Sequence, residues 1–203
     1  MTIVESENRD TNVNSPATAP RKPSLLKRIL FVFLALIAVL LVVIAIQPSE
    51  FRVSRSATMA APPAAVFEQV NDLHKWDAWS PWAKLDPNAK NSFEGPSTGE
   101  GSILRWDGNS DVGAGSMMIL ESEPNERVRI KLDFIRPFEG TSDVEFTLKP
   151  EGDQTAVTWS IAGENNFMAK AISLVMDCEK MIGDQYEKGL ANIKAIVETP
   201  EAN

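Results

Sequence analysis

Cysteine, histidine and tyrosine are almost absent from this chain, with one residue of each among its 203. The single cysteine, Cys178, excludes an internal disulfide, and its apolar neighbours favour a packing role over a reactive one. One cysteine and one histidine cannot assemble a zinc site of the common kind. A histidine-based catalytic triad would have to use His74, which lies in a polar stretch where we expect a surface position.

The short motifs of several enzyme classes are missing as well. The chain has no GxSxG nucleophile elbow, no HExxH helix, no phosphate-binding glycine loop and no CxxC redox pair. Among twenty-eight Asp and Glu residues, chance carboxylate pairs are expected, so none is nominated as a general acid and base. We therefore predict no catalytic residue, no metal and no cofactor, and we favour a binding protein over an enzyme.

Charge is distributed unevenly along the chain. Residues 1–28 carry a net charge of +2, whereas residues 48–203 carry a net charge of −10. A domain this acidic is a poor nucleic-acid binder, and anionic lipid headgroups repel it unless a local patch dominates. Residues 1–24 hold few large apolar side chains and cannot offset the entropy of ordering, so we predict a disordered tail there.

One long apolar run stands out against this polar composition. Residues Ile29 to Ile46 are eighteen consecutive apolar residues without glycine or proline. As a helix they span about 27 Å, close to the ~30 Å hydrocarbon core of a bilayer. A buried core helix rarely lacks any polar position over five turns. We therefore predict a transmembrane helix over residues 25–47, with the lipid bilayer as its partner.

Basic residues are more frequent before this run than after it. Four precede it closely and two follow at a similar distance: Arg21, Lys22, Lys27 and Arg28, then Arg52 and Arg55. The positive-inside rule then places the N-terminus in the cytoplasm and the main domain outside it, in a single-pass protein of the inner membrane. A cleaved signal peptide is the alternative, but its apolar region is usually about 7–15 residues, which favours an uncleaved signal anchor.

The pattern after Pro48 changes to short elements typical of one mixed domain over residues 48–198, followed by a tail at 199–203. Phe51 and Val53 alternate in a first strand, and Pro62-Pro63 then opens a helix. Apolar residues recur there at helical spacing, and a polar stretch with a short strand around Phe93 follows.

Five further strands are predicted by period-two alternation, and short turns between them indicate an antiparallel meander. Their alternating positions are Ser102, Leu104 and Trp106; Ala114, Ser116, Met118 and Leu120; Val128, Ile130, Leu132 and Phe134; Val144, Phe146 and Leu148; and Val157, Trp159 and Ile161.

Two helices are predicted to close the chain, a short one over Phe167 to Val175 and a long one. The apolar residues of the long helix recur every three or four positions: Ile182, Tyr186, Leu190, Ile193 and Val197. Gly189 lies on the same stripe, where it either allows close approach to the sheet or is simply tolerated. A sheet with one apolar face needs a cover, and the long helix is the natural one.

Two segments and the order of these elements resemble the SRPBCC superfamily. The segments are APPAAVFEQVNDLHKWDAWSPW, after the first strand, and the closing MIGDQYEKGLANIKAIVE. The middle segments Gly113–Pro124 and Thr155–Gly163 are also similar to such proteins. The chain looks most like the polyketide cyclase/dehydrase-like branch, over about residues 50–198.

The resemblance implies an α+β, START-like helix-grip fold. In that fold a curved antiparallel sheet wraps around the long C-terminal helix and encloses an apolar cavity. The superfamily includes lipid carriers, hormone receptors, cyclases, oxygenase domains and chaperone co-factors, so the resemblance leaves the function open. This branch carries no shared catalytic motif that maps onto residues of this chain.

The candidate ligand-cavity residues are the large inward-facing side chains of the predicted strands and of the long helix. They are Trp106, Met118, Leu132, Phe134, Phe146, Trp159 and Tyr186. Large pockets are mostly apolar with a few polar groups, and these residue types fit that description. The same spacing is also typical of a packed core. A second aromatic group, Trp76, Trp79 and Trp82, either packs short helices against the sheet or forms a lip at the cavity mouth or bilayer surface.

Three functions are compatible with these observations. The leading one is a membrane-tethered binding or carrier domain for an apolar small molecule or lipid in an internal cavity. The second is an enzyme of the cyclase or dehydratase kind acting in the same cavity, which would need polar groups converging inside it. The third is an envelope interaction module with no ligand, whose interior would be closed by side chains.

Overall fold

The computed structural model describes residues 25–199. The predicted tail at 1–24, and residues 200–203 of the predicted tail at 199–203, lie outside the described residues. The chain divides into two compact units, Met1–Val42 and Val43–Asn203. Helix α1 (Leu25–Ala45) is long and apolar enough to cross a membrane, a property that signal sequences near an N-terminus share.

A seven-stranded antiparallel sheet is the centre of the second unit. Its strands are β1 (Glu50–Met59), β2 (Lys90–Glu94), β3 (Ile103–Asp107), β4 (Ala114–Glu123), β5 (Arg127–Arg136), β6 (Gly140–Glu151) and β7 (Gln154–Glu164). The order in the sheet is β1-β7-β6-β5-β4-β3-β2, so strands β2 to β7 pair with their sequence neighbours. The predicted meander is confirmed, and β1 completes the sheet by pairing with β7.

Short turns between the strands produce this meander. The turn between β4 and β5 contains Asn125 at φ 65°, and the turn between β6 and β7 contains Gly152 at φ 63°. Both residue types adopt the left-handed conformation more readily than others, which allows the chain to reverse within a few residues. The strands that follow these turns therefore pair with the strands before them.

Helix α5 (Cys178–Glu198) covers one face of the sheet with the predicted apolar stripe. Tyr186, Leu190 and Ile193 on that stripe are buried. The helix runs parallel to β1, since Arg55 pairs with Glu179 in the first turn of α5 and the Lys194 ammonium donates to the Thr58 carbonyl near the end of the helix. The predicted helix-grip arrangement of an antiparallel sheet on a long C-terminal helix is confirmed.

Shorter helices complete the cover on the same face. Helix α2 (Pro63–Asn71) begins with proline, whose fixed φ suits a first turn, and it buries Val66 and Val70. Helix α3 (Trp76–Trp79) follows, between single 3₁₀ turns at Leu73–Lys75 and Pro81–Lys84. Helix α4 (Phe167–Ser173) connects β7 to α5.

The alternation expected for β4 is wrong by one residue. Met118 pairs with Lys131 of β5, whereas Met117 pairs with Leu132 and packs against the core. Four consecutive large apolar residues occupy this strand, so periodicity alone does not reveal its inner face, and a register shift follows Ile119. Hydrogen-bond register determines which side chains face inward, and a slip of one residue exchanges the two faces.

Candidate functional site

Three aromatic residues from three elements meet in the interior between the sheet and α5. Phe146 of β6 stacks on Trp159 of β7 with ring centroids 4.8 Å apart, and Trp159 stacks on Tyr186 of α5 at 3.8 Å. All three side chains are buried. Three of the predicted cavity residues are therefore brought together in one stack.

The tryptophans of the short helices surround this stack. The rings of Trp76, Trp79 and Trp82 meet Trp159 edge-on, at centroid distances of 6.3, 5.5 and 6.0 Å. Trp76 and Trp79 are buried, which confirms that these tryptophans pack the short helices against the sheet. We refer to Trp76, Trp79, Trp82, Phe146, Trp159 and Tyr186 as the aromatic cluster.

One polar group inside the aromatic cluster lacks a partner. The Nε1–H of Trp159 is buried and finds no hydrogen-bond acceptor within residues 25–199. By contrast, the indole N–H groups of Trp76 and Trp79 donate to the backbone carbonyls of Val70 and Gln69, at 3.2 and 3.1 Å. An unpaired buried donor costs about 1–3 kcal/mol and is rare in folded proteins.

Tyr186 contributes the titratable group of the cluster. Burial raises the pKa of its hydroxyl well above the usual value for tyrosine, because the phenolate would lose its hydration. The hydroxyl therefore stays protonated at physiological pH. A protonated hydroxyl can donate a hydrogen bond, on a ring that stacks against Trp159.

The other inward residues lie toward the end of the sheet where β1 begins. Trp106 of β3 and Phe134 of β5 meet edge-on at a centroid distance of 5.8 Å. The indole of Trp106 covers Gly115 of β4 and donates to the Val112 carbonyl at 3.0 Å. Leu132 is buried beside them, whereas Phe134 is 37% exposed. We call this region, formed by Trp106, Met117, Leu132 and Phe134, the open end.

The seven predicted cavity residues thus fall into three places. Phe146, Trp159 and Tyr186 belong to the aromatic cluster, and Trp106, Leu132 and Phe134 belong to the open end. Met118 is on the outer face opposite Lys131, and Met117 occupies the inward position instead. The sequence analysis missed Met117 because both methionines fit a strand and only pairing with β5 distinguishes them.

A second concave site lies on the surface, away from the interior. It is a pocket of about 210 Å³ whose lining includes His74, Phe93, Ser97 and Ser102. The imidazole of His74 stacks on Phe93 with centroids 4.0 Å apart, and its Nδ1 lies 3.0 Å from Oδ1 of Asp72. His74 is exposed, as expected, and the pocket itself was not anticipated because its residues come from three separate segments.

The charged side chains near the middle of the sheet pair with one another on its outer face. Arg127 contacts Glu121 and Glu123 at 2.8 and 2.6 Å, and Arg129 contacts Glu121 at 2.7 Å. Within residues 25–199, no three His, Cys, Asp or Glu side chains are arranged to hold a metal ion.

Solved structures share this fold at low sequence identity. Protein MLL2253 from Mesorhizobium loti superposes with a TM-score of 0.56 at 16% identity, covering 74% of this chain and 99% of its own. The Aha1 dimer from Colwellia psychrerythraea superposes with a TM-score of 0.54 at 16% identity, and the match covers 75% of this chain and 99% of the Aha1 chain. Protein CV1439 from Chromobacterium violaceum superposes with a TM-score of 0.53 at 17% identity, again over 75% of this chain and 99% of its own.

None of the curated proteins matches the chain significantly. One family model, described as polyketide cyclase / dehydrase and lipid transport, matches residues 50–198. That match contains the whole sheet, the aromatic cluster, the open end and α5. Because it covers most of the sequence, this chain belongs to the polyketide cyclase / dehydrase and lipid transport family.

Proposed function

We propose that this protein binds an apolar small molecule or lipid between the sheet and α5, and that Ile29–Ile46 hold it in a membrane. The observation that carries the binding proposal is the unpaired Nε1–H of Trp159 inside an apolar interior. A ligand with one acceptor oxygen would pair this donor while its apolar body contacts the surrounding rings. The family description, which includes lipid transport, supports the same class of ligand.

In this proposal the ligand enters the interior from the open end. Along β6, Ser142 pairs with Leu132 at the open end, and Phe146 pairs with Val128 beside the aromatic cluster. These positions are four residues apart, or about 13 Å along a strand. A ligand that reaches from Leu132 to the aromatic cluster therefore has an apolar body of at least about that length. Aromatic and methionine side chains along the way suit such a ligand.

The membrane proposal rests on α1 and its flanks. A helix of 21 residues is about 30 Å long, which matches the hydrocarbon core of a bilayer. Its apolar side chains favour insertion. The basic residues before it support an N-terminus in the cytoplasm and residues 48–198 outside, at the inner membrane. In this arrangement the domain binds its ligand next to a lipid reservoir.

The binding proposal can be tested on the full chain. Native mass spectrometry of the detergent-purified protein, followed by organic extraction, reports whether a small molecule co-purifies. A dansyl-labelled fatty acid then measures affinity for protein in lipid nanodiscs, with empty nanodiscs as background. We expect the Trp159→Phe variant to bind this probe about tenfold more weakly, because the variant loses one hydrogen-bond donor.

The matched control is Trp79→Phe, the same change at an indole whose N–H already has an acceptor. This variant removes ring area from the aromatic cluster but leaves the unpaired donor in place, so it should lose less probe affinity than Trp159→Phe. Its free energy of unfolding falls because the Gln69 carbonyl loses its donor. Native probe affinity in Trp159→Phe, together with no extracted molecule, would overturn the proposal.

A further inference from the structure

Helix α4 (Phe167–Ser173) is apolar but buries none of its residues. Phe167 and Met168 are 51% and 50% exposed, and Val175 just beyond the helix is 83% exposed. Large apolar side chains are normally covered, and a contiguous exposed group of them marks an interaction surface. Nothing within residues 25–199 covers these three.

The exposed apolar residues of α4 lie on one side of the helix. Phe167 and Met168 are about 100° apart around the helix axis with the half-buried Ala171 between them, and Lys170 lies about 110° from their midpoint. The ammonium of Lys170 donates to the Ser49 hydroxyl at 2.9 Å. The polar side of α4 is therefore fixed to the chain that enters β1, while its apolar side remains free.

A second loop adds to the same surface. The end of β5 exposes Ile135 and the connection to β6 exposes Phe138, which are 56% and 49% accessible. The connection is joined to α4 because the side-chain amide of Asn166 donates to the Glu139 carbonyl at 3.3 Å. We call the combined surface the apolar rim, and it comprises Ile135, Phe138, Phe167, Met168, Val175 and Met176. Ile135 and Phe134 both lie at the end of β5, so the apolar rim is at the same end of the sheet as the open end, with Ile135 on the opposite face.

The course of the chain identifies what covers this rim. Ser49 is three residues after Ile46, the last residue of the apolar run, and three residues span at most about 11 Å. The Ser49 carbonyl accepts a hydrogen bond from the Asn165 N–H at 2.6 Å, immediately before α4. Any membrane that contains Ile29–Ile46 therefore lies close to the apolar rim.

We propose that the apolar rim docks onto the same bilayer that anchors the chain, with Phe167, Met168 and Val175 entering its interface. This inference rests on the proposed anchoring by Ile29–Ile46. Docking in this way turns the open end of the sheet toward the lipid. An apolar ligand then passes between the bilayer and the interior without crossing water.

Burial of the apolar rim and the anchoring of the chain by Ile29–Ile46 drive this docking, and electrostatic attraction does not. Residues 48–203 carry a net charge of −10, so anionic headgroups repel the domain as a whole. The tether makes docking an intramolecular event at an effective concentration in the millimolar range, at which weak contacts suffice. The rim should therefore dock equally well on zwitterionic vesicles, which lack negative surface charge.

Site-directed fluorescence on the full chain tests the proposal. In a Cys178→Ser background, Val175→Cys carries a nitrobenzoxadiazole label, and the protein is reconstituted into phosphatidylcholine vesicles. The control label is at Asp153→Cys, in the turn at the far end of the eleven-residue β7, about 35 Å away. We expect nitroxide-labelled lipid to quench the label at 175 and aqueous iodide to quench the label at 153.

A variant with charged residues in the apolar rim tests whether the rim itself causes the lipid quenching at position 175. Phe167→Glu combined with Met168→Glu should abolish lipid quenching at 175, and both positions are exposed, so folding is unaffected. Ile196→Glu, at a site that is 38% exposed near the end of α5 and at the other end of the sheet, should leave the quenching unchanged. Full lipid quenching in the double variant would overturn docking through α4.

Two other results would overturn the docking while leaving the anchor intact. Iodide quenching at 175 equal to that at 153 would mean that the rim faces water. Shielding of 175 from both quenchers would mean that a second copy of the chain covers the rim. Extraction with alkaline carbonate tests the anchor separately, because release of the chain from the vesicles would overturn the proposed anchoring together with the docking.

Discussion

The indole ring of Trp159 lies against the backbone of α5 at Gly189, where a Cβ atom would come within 2.6 Å of its Cζ3. Pro81 approaches the same point from the other side, at 3.3 Å. Glycine at this position therefore allows the close approach of helix and sheet, which resolves the two interpretations left open by the sequence. Trp159, at the centre of the aromatic cluster, depends on this approach for its position.

This contact predicts that Gly189→Ala is destabilising. Alanine favours a helix by up to about 1 kcal/mol over glycine, but the added methyl group overlaps a ring that cannot move away. Overpacking of this kind costs about 1–3 kcal/mol. We expect a net loss in the free energy of unfolding, measured by urea denaturation.

Gly183→Ala is the matched control on the same helix. A Cβ there would meet the guanidinium of Arg55, which bridges Glu179 and Glu187 at the surface. This group ends a flexible side chain and can move into solvent, so we expect stability within about 1 kcal/mol of the native protein. Equal losses in the two alanine variants would contradict the close-packed contact at Gly189.

A spectroscopic prediction concerns Tyr186, the only tyrosine in the chain. Burial raises the pKa of its hydroxyl in the folded state, so the phenolate forms only when the protein unfolds. Above pH ~10 the unfolded state releases this proton and the folded state retains it, so stability falls as pH rises. Phenolate absorbance should therefore appear together with the loss of the near-ultraviolet circular dichroism of the tryptophans.

The Tyr186→Phe variant isolates this effect from the lysines that titrate in the same range. Its stability should fall less steeply with pH above about 10, by up to ~1.4 kcal/mol per pH unit. Phenolate absorbance that develops in a fully folded protein would show that the hydroxyl is accessible to water.

The corrected register of β4 predicts opposite sensitivities for its two methionines. Met117→Gln places an amide against the core opposite Leu132 and should cost about 1–3 kcal/mol. Met118→Gln places the same group beside Lys131 on the outer face and should cost less than about 1 kcal/mol. Thermal melts of the two variants measure the difference in stability. A larger loss in Met118→Gln than in Met117→Gln would mean that Met118 faces the core, as the alternation in the sequence had predicted.

The second unit should fold without α1. Its core cluster extends from Val53 to Ile193 and takes no residue from the apolar run. We expect a fragment of residues 48–203 to be monomeric in mild detergent and to melt cooperatively. Aggregation without a cooperative transition would mean that the domain boundary at residue 48 is misplaced.

Strong local patterns in the sequence predicted most of the fold. The alternation of Val128, Ile130 and Leu132 with charged residues defined β5, because only one face of that strand is apolar. The stripe through Tyr186, Leu190 and Ile193 defined the covering helix for the same reason. Short turns between the strands predicted the meander. The family resemblance predicted that the sheet wraps around the C-terminal helix.

Tertiary structure alone decided which apolar residues meet. Met117 rather than Met118 faces the core, because strand register depends on hydrogen bonds to β5 that periodicity does not encode. The unpaired Trp159 indole and the free face of α4 are equally invisible in the sequence, since each depends on the presence or absence of neighbours distant along the chain. The sequence by itself determined the elements and their apolar faces, whereas packing between distant elements decided what each face contacts.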